Sequence, residues 1–354
     1  MRTGVLVCLL VGLPVAACGD NGDAPTDAKG DSMSSDTMVD AGNLMPATLE
    51  ETGLCSDGPA CRDISPGILA YEPQWQLYSD GATKKRWIQL PPGTQIDTTD
   101  MNYWKFPVGT KVWKEFTSGD TRVETRFIMK VDEDDSLNAS WYWASYIWDT
   151  ANTSSTLFDA SAGNPDANGT THDVPSRSQC RRCHQNTPGR ILGFQAMSLD
   201  YDAPEGVTDL RDLVGMDLLS SPPAAAVAGS AFFPIASPNG DGQIDKDAYG
   251  FMHANCGGCH NPTSSVFATV VIDLRMDTTK LDVHDMPAYT TTVNKNAMLS
   301  LVPGTLVVPN NTADSVVMKR LQSLVAGEKM PELGTETLNT DGIAAVSAWI
   351  NQPP

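Results

Sequence analysis

Basic residues are scarce in this chain. It carries 24 Lys and Arg against 43 Asp and Glu, a net charge of −19. That balance argues against a nucleic-acid binder and against a protein that lies on an anionic membrane surface. It suits instead a protein partner with a basic docking face. Histidine is scarcer still, 5 in 354 residues, which leaves little for zinc, since zinc wants Cys and His ligands at short spacing. No carboxylates pair in a pattern that marks acid–base catalysis. The apolar run Gly4–Ala17 is too short to cross a bilayer as a helix. Hydrophobic residues at 41% and charged residues at 19% are ordinary for a globular protein, and the length implies two or three domains.

The eight cysteines say more, because each has a place. Cys8 lies in an N-terminal leader that opens Met1-Arg2. Cys18 closes Val15-Ala16-Ala17-Cys18. Cys55 and Cys61 flank the turn Ser-Asp-Gly-Pro-Ala, and in an oxidising compartment they are expected to form a disulfide. A metal pair is the weaker reading there, with no histidine nearby. The other four make Cys180-Arg181-Arg182-Cys183-His184 and Cys256-Gly257-Gly258-Cys259-His260.

The leader reads as a secretory signal over residues 1–18, and its last four residues resemble a bacterial lipobox. That resemblance implies lipidation of Cys18 and an exported, lipid-anchored protein on the periplasmic side or the surface of the outer membrane. Gly19, not aspartate, follows, which favours the outer membrane. An ordinary secretory leader is the alternative. Residues 19–50 are rich in Asp, Ser, Gly, Ala and Thr, cannot bury enough apolar area to fold, and are expected to form a disordered tether.

Aromatic and β-branched residues dominate from Leu69 to Trp148. Lys85–Leu90, Lys111–Phe116, Arg122–Val131 and Ala139–Trp148 read as strands, punctuated by Pro91-Pro92-Gly93, Pro107-Val108-Gly109 and Ser118-Gly119-Asp120. An antiparallel, sandwich-like β-rich domain over 51–165 is expected. Tyr71–Gly93, with Leu77-Tyr78-Ser79-Asp80-Gly81-Ala82 inside it, resembles the opening of a group of largely uncharacterised bacterial proteins in which a β-rich region precedes C-x-x-C-H modules.

The spacing of C-x-x-C-H has a chemical reason. Two thiols three positions apart reach both vinyl groups of one haem as thioethers, and the adjacent histidine comes beneath the iron. Two such motifs in one exported chain therefore point to two covalently bound haem c groups, at Cys180/Cys183 with His184 and at Cys256/Cys259 with His260. A redox dithiol would want a βαβ context, which is absent.

Around the second motif, Asp245–Asn255 reads as a helix running into Cys256. Asp341–Ile350 reads as a closing helix capped by Thr340 or Asp341. This resembles the single-haem fold of small soluble c-type cytochromes, in which a glycine–aromatic pair on the first helix meets an aromatic on the last; Gly250-Phe251 and Trp349 match that pattern. The resemblance implies that Met330, in Gly327-Glu328-Lys329-Met330-Pro331, is the distal ligand, with Met318 and Met298 as alternatives. Asn239–Asp245 echoes a calcium loop but lacks its first acidic position and closing glutamate, and reads as a turn. His253 reads as a surface or propionate contact.

The first motif has less context. Gly189–Asp200 looks loop-like and Leu210–Leu219 helical. His172 is the favoured distal ligand, with Met197, Met216 and an open iron as alternatives. The fold class expected overall is mixed: the β-rich domain, a first haem-binding segment over 166–235, and a mainly α-helical, cytochrome c-like domain over 236–354. The leading functional expectation is electron transfer between redox protein partners. A dihaem peroxidase- or oxidase-like enzyme with an open first haem, and a binding module with a haem tail, are the alternatives.

Overall fold

The computed structural model describes residues 46–134, 138–159, 161–224, 230–238, 242–298 and 301–352. The leader, Cys18, most of the tether and Asn239–Asp241 lie outside the described residues. Gly42–Pro354 form one unit, and its content is mixed, an antiparallel sheet followed by short helices.

The sheet is a six-stranded meander in sequence order: β1 Leu69–Ala70, β2 Thr83–Gln89, β3 Lys111–Ser118, β4 Thr121–Lys130, β5 Trp141–Trp148 and β6 Ser155–Leu157. Every neighbouring pair is antiparallel. Period-two alternation divides its residues between two faces. Trp87, Trp113 and Phe127 face each other across β2, β3 and β4. With Tyr146 and Trp148 they form a core covered by Leu49, Leu54, Cys55 and Cys61. Cys55 and Cys61 are joined by a disulfide with a Cα–Cα distance of 5.0 Å. On the opposite face Ile88, Val112 and Ile128 pack with Trp104, Phe106, Phe194, Leu199 and Leu210.

The sandwich-like expectation is therefore corrected. Among the described residues no second sheet forms; one face is closed by the segment before β1 and the other by loops and short helices. The apolar cluster on that second face runs from Tyr71 to Leu219, so it spans the sequence boundary drawn at 165/166.

One irregularity matters for the site. The register between β3 and β4 shifts after Phe116, which pairs with Glu124, whereas Thr117 pairs with Arg122. The extra residue is a bulge, which re-aims the side chains on either side of it. Arg122 consequently lies over the Trp148 ring, 3.4 Å from its centroid, and bonds Glu115 at 2.9 Å. Glu124 and Arg126 turn to the helical side.

The helices are α1 Arg177–His184, α2 Ala196–Leu199, α3 Leu210–Gly215, α4 Gln243–Asn255, α5 Phe267–Val270, α6 Pro287–Thr292, α7 Val316–Leu321 and α8 Thr340–Ile350. A capping box of Ser176 and Gln179 starts α1, satisfying two amide donors that the first turn leaves open. Asn339, rather than Thr340 or Asp341, caps α8, accepting from the Gly342 amide at 3.0 Å.

Helices α4 and α8 pack together, but with pairings other than the expected ones. Phe251 lies on Gly342, where an added Cβ would come within 2.1 Å of its ring. Trp349 meets Tyr249 edge-on at 5.4 Å. Gly250 is covered by Trp75, whose ring leaves no room for a Cβ at 2.0 Å. A segment preceding the sheet strand β2 is thereby seated on the helix that leads into the second motif.

Candidate functional site

The two C-x-x-C-H motifs meet. Cys183 Sγ lies 3.7 Å from Cys259 Sγ across 76 residues of sequence, and all four motif cysteines are free thiols. Glycine is needed at one position beside this contact: a Cβ at Gly257 would stand 2.7 Å from the His253 carbonyl and 2.8 Å from Arg275 Cγ, whereas Gly258 faces Leu192 and Cys183 at ordinary contact distance.

The motifs are built differently. The first is helical: Cys180, Cys183 and His184 all belong to α1. The second follows the C-terminus of α4, where the amides of Cys259 and His260 both donate to the Cys256 carbonyl, at 3.0 and 2.8 Å. Burial raises the Cys256 thiol to about 12 and raises Cys180 as well.

His184 Nδ1 donates to the Arg190 carbonyl at 2.6 Å, and its ring stands edge-on to Trp143 at 4.8 Å. A histidine held in this way has its tautomer fixed and its Nε2 lone pair available for a metal. Burial pushes this imidazole down to about 4, so it is neutral near pH 7. Burial does the same to His260, also to about 4, but His260 Nδ1 is a buried atom with no hydrogen-bond partner.

Two pockets lie near the second motif. One is lined by Phe251, Asn255, Leu321, Met330, Leu338 and Ile343 among others. It therefore connects α4, α7, the Met330 loop and α8. The Met330 amide donates to the Arg320 carbonyl at 3.1 Å, fixing the loop to the end of α7. The alternatives to Met330 are placed elsewhere: Met318 is in the core at 1% exposure, whereas Met298 is 64% exposed. The second pocket lies between the sheet and the second motif, with Arg86, Lys114, Thr187, Leu192, Gly258 and Arg275 in its lining.

His172, the favoured distal ligand of the first haem, is buried against the sheet. Its Nε2 bonds the Glu124 carboxylate at 2.8 Å, its ring lies 4.6 Å from that of Phe116, and it is 3% exposed. Arg126 Nε donates to the same carboxylate at 2.9 Å. Burial raises the Glu124 pKa, but Arg126 and His172 outweigh it and hold the group at about 2. The nitrogen expected over an iron is thus committed to a buried carboxylate. Met197 is buried in the α4–α8 core, and Met216 caps the end of α3 at 44% exposure.

His253 is also not a surface group. It is buried, accepts the Met276 amide on Nδ1 at 2.9 Å, and lines the second pocket. Sequence reasoning missed the charged residues of the sheet. Arg86 faces Lys114, and Lys114 faces Arg126. The signal was charge inside strands otherwise built to be buried, at Lys84 and Arg86 in β2, Lys114 in β3 and Arg126 in β4.

Among the described residues no three His, Cys, Asp or Glu side chains converge to hold a bare metal ion. A haem makes no such demand, since its ring supplies four donors and the protein only the axial ones. Each motif offers two thiols and an adjacent histidine, the donor set by which a haem c would be held. Comparison with family models, with curated proteins and with solved structures gives no match.

Proposed function

We propose that this protein is an exported, lipid-anchored c-type cytochrome that carries two covalent haems and passes electrons between redox protein partners. The observation that carries this reading is the 3.7 Å separation of Cys183 and Cys259, which brings two complete C-x-x-C-H motifs together. When bound, haem c supplies a one-electron iron couple. The chain's own part is to tether each haem through Cys180/Cys183 and Cys256/Cys259 and to present His184 and His260 as proximal ligands. Met330 would hold the second haem from its other side, in a cytochrome c-like module closed by α4 and α8. The Arg190 carbonyl orients His184 and strengthens it as a donor. A thioether from Met330, in a mainly apolar pocket, would favour the reduced form of a haem held there. Attachment points this close favour exchange between two centres over two independent ones. Anchoring through Cys18 keeps the pair at the membrane.

The test is mass spectrometry of protein matured in a host with a c-type maturation system. Two haem additions that survive denaturation are expected, falling to one in Cys180→Ala/Cys183→Ala. An unmodified polypeptide mass overturns the reading.

The His172–Glu124 bond favours a second reading, a peroxidase- or oxidase-like protein whose first iron is open. Carbon monoxide binding by one reduced haem, with turnover of peroxide, selects it over transfer alone.

A further inference from the structure

The run Leu77-Tyr78-Ser79-Asp80-Gly81-Ala82 ends in a tight turn. Its two central residues, Asp80 and Gly81, have φ of +46° and +78°, and the Ala82 amide donates to the Ser79 carbonyl at 2.8 Å. That is the type I′ pattern, which Asp-Gly suits because aspartate tolerates the left-handed region and glycine occupies it without strain. A second glycine at position 80 would fit the turn with less strain still. The turn therefore does not explain why a carboxylate stands there, 8% exposed.

Its contacts do. Asp80 Oδ1 accepts from the Glu336 amide at 2.6 Å, the Thr337 amide at 2.9 Å and the Thr337 hydroxyl at 3.2 Å. The Tyr78 and Thr337 hydroxyls bond each other at 2.6 Å. The same segment is fastened to the end of α4. The Tyr78 amide donates to Asn255 Oδ1 at 2.7 Å, and Asn255 Nδ2 donates to the Gln76 carbonyl at 3.2 Å. Asn255 immediately precedes Cys256. Residues 76–80 thus cross from the helix that leads into the second motif to the loop between Met330 and α8.

The loop carries that hold back to Met330. Lys329 Nζ donates to the Thr335 carbonyl at 3.1 Å, and the Thr335 hydroxyl donates to the Pro331 carbonyl at 2.5 Å, so the loop is closed on itself from Lys329 to Thr335. Tyr78, Asn255, Met330 and Thr337 line one pocket. A further link to this loop, Arg182 with Glu332, joins two exposed side chains and contributes little.

We propose that Asp80, with Tyr78, is a positioning residue that seats the Met330 loop on the end of α4, so that the segment entering the sheet sets how Met330 is presented to this pocket. The inference rests on the reading of Met330 as distal ligand. A carboxylate that accepts two amides makes charge-assisted bonds, stronger than neutral ones, and a backbone held at positive φ to deliver it is strain placed where position matters.

The test uses the haem-loaded full chain as wild type, Asp80→Gly, Asp80→Asn and Tyr78→Phe, each checked for two haems by mass. Asp80→Gly keeps the turn and removes the anchor, whereas Asp80→Asn keeps the turn and an oxygen that accepts amides. In Asp80→Gly, hydrogen exchange at the Glu336 and Thr337 amides should quicken on the order of tenfold, the factor implied by losing a hydrogen bond to a charged group. The near-infrared sulfur–iron band should weaken, and the potential of one haem should fall while the other holds. Asp80→Asn should restore most of the band, and Tyr78→Phe should weaken it less than Asp80→Gly does. Should Asp80→Gly fail to fold, Tyr78→Phe and Thr337→Val, which remove only hydroxyls, decide by the same readings. If wild type shows the band and Asp80→Gly matches it in band, potential and exchange, the positioning role is overturned and Met330 stands as ligand. An Asp80→Gly protein that only unfolds more readily, its band and potentials intact, overturns it equally. A wild type without the band removes the Met330 reading, and this role with it.

Discussion

The two motifs share a sequence pattern and differ in nearly everything around it. The first is a short capped helix set against a sheet whose facing side is charged, with His184 held by a backbone carbonyl. The second follows a thirteen-residue helix, with His260 Nδ1 unpartnered and a mainly apolar cavity that includes Met330. On the proposed covalent-haem reading, C-x-x-C-H would fix how each haem is attached, whereas neighbouring elements would fix the field it experiences. A charged face and an apolar pocket would then pull the two potentials in ways the motif itself does not specify.

The sharpest way to break this comparison is at Met330. Met330→Ala should abolish the near-infrared sulfur–iron band and lower the potential of one haem, leaving the other as it was. If the band persists unchanged, Met330 is not the ligand and the two surroundings are more alike than stated.

The charged side is tested at Glu124. Glu124→Gln should cost about 3–5 kcal/mol in denaturant unfolding, because it strips a buried ion pair of its anion. With its carboxyl held at about 2 in the fold, Glu124 contributes stability above its ordinary value near 4.5. That contribution is lost as pH falls from there through about 2. Wild type should therefore lose stability relative to Glu124→Gln across that acid window. Parallel pH profiles for the two proteins would show that the pair contributes nothing there.

The smallest effect expected is at the helix crossing. Gly342→Ala puts a methyl into the Phe251 ring and should cost about 1–3 kcal/mol by overpacking. Thermal unfolding measures it. A neutral result would mean that α4 and α8 are free to separate, loosening the second surroundings but not the first.

Much of this was legible from local pattern. Alternation revealed β2 to β5 to within a few residues, Ser118-Gly119-Asp120 marked the β3–β4 turn, and helical spacing found α4 and α8. What remained hidden was set by pairing across sequence distance. His172 is a plausible ligand when only the twelve residues before His184 are considered. Its partner Glu124 is 48 residues upstream, on a strand whose packing against the His172 segment no local pattern reveals. The Arg86–Lys114–Arg126 row exists only once strand register is known. The meeting of the two motifs likewise depends on how a sheet and helices far apart in sequence pack.

That meeting has a consequence for biogenesis. Cys183 and Cys259 sit 3.7 Å apart, in a chain whose Cys55 and Cys61 are already oxidised. A protein that reached this fold with bare thiols in an oxidising compartment would have a competing cross-link within a small movement, and it would tie the two motifs to each other. On the proposed covalent-haem reading the order of assembly is therefore constrained: thioether formation would have to come first, on a chain still open, and the final collapse of the sheet against the helices would act as a checkpoint that only the modified chain passes cleanly.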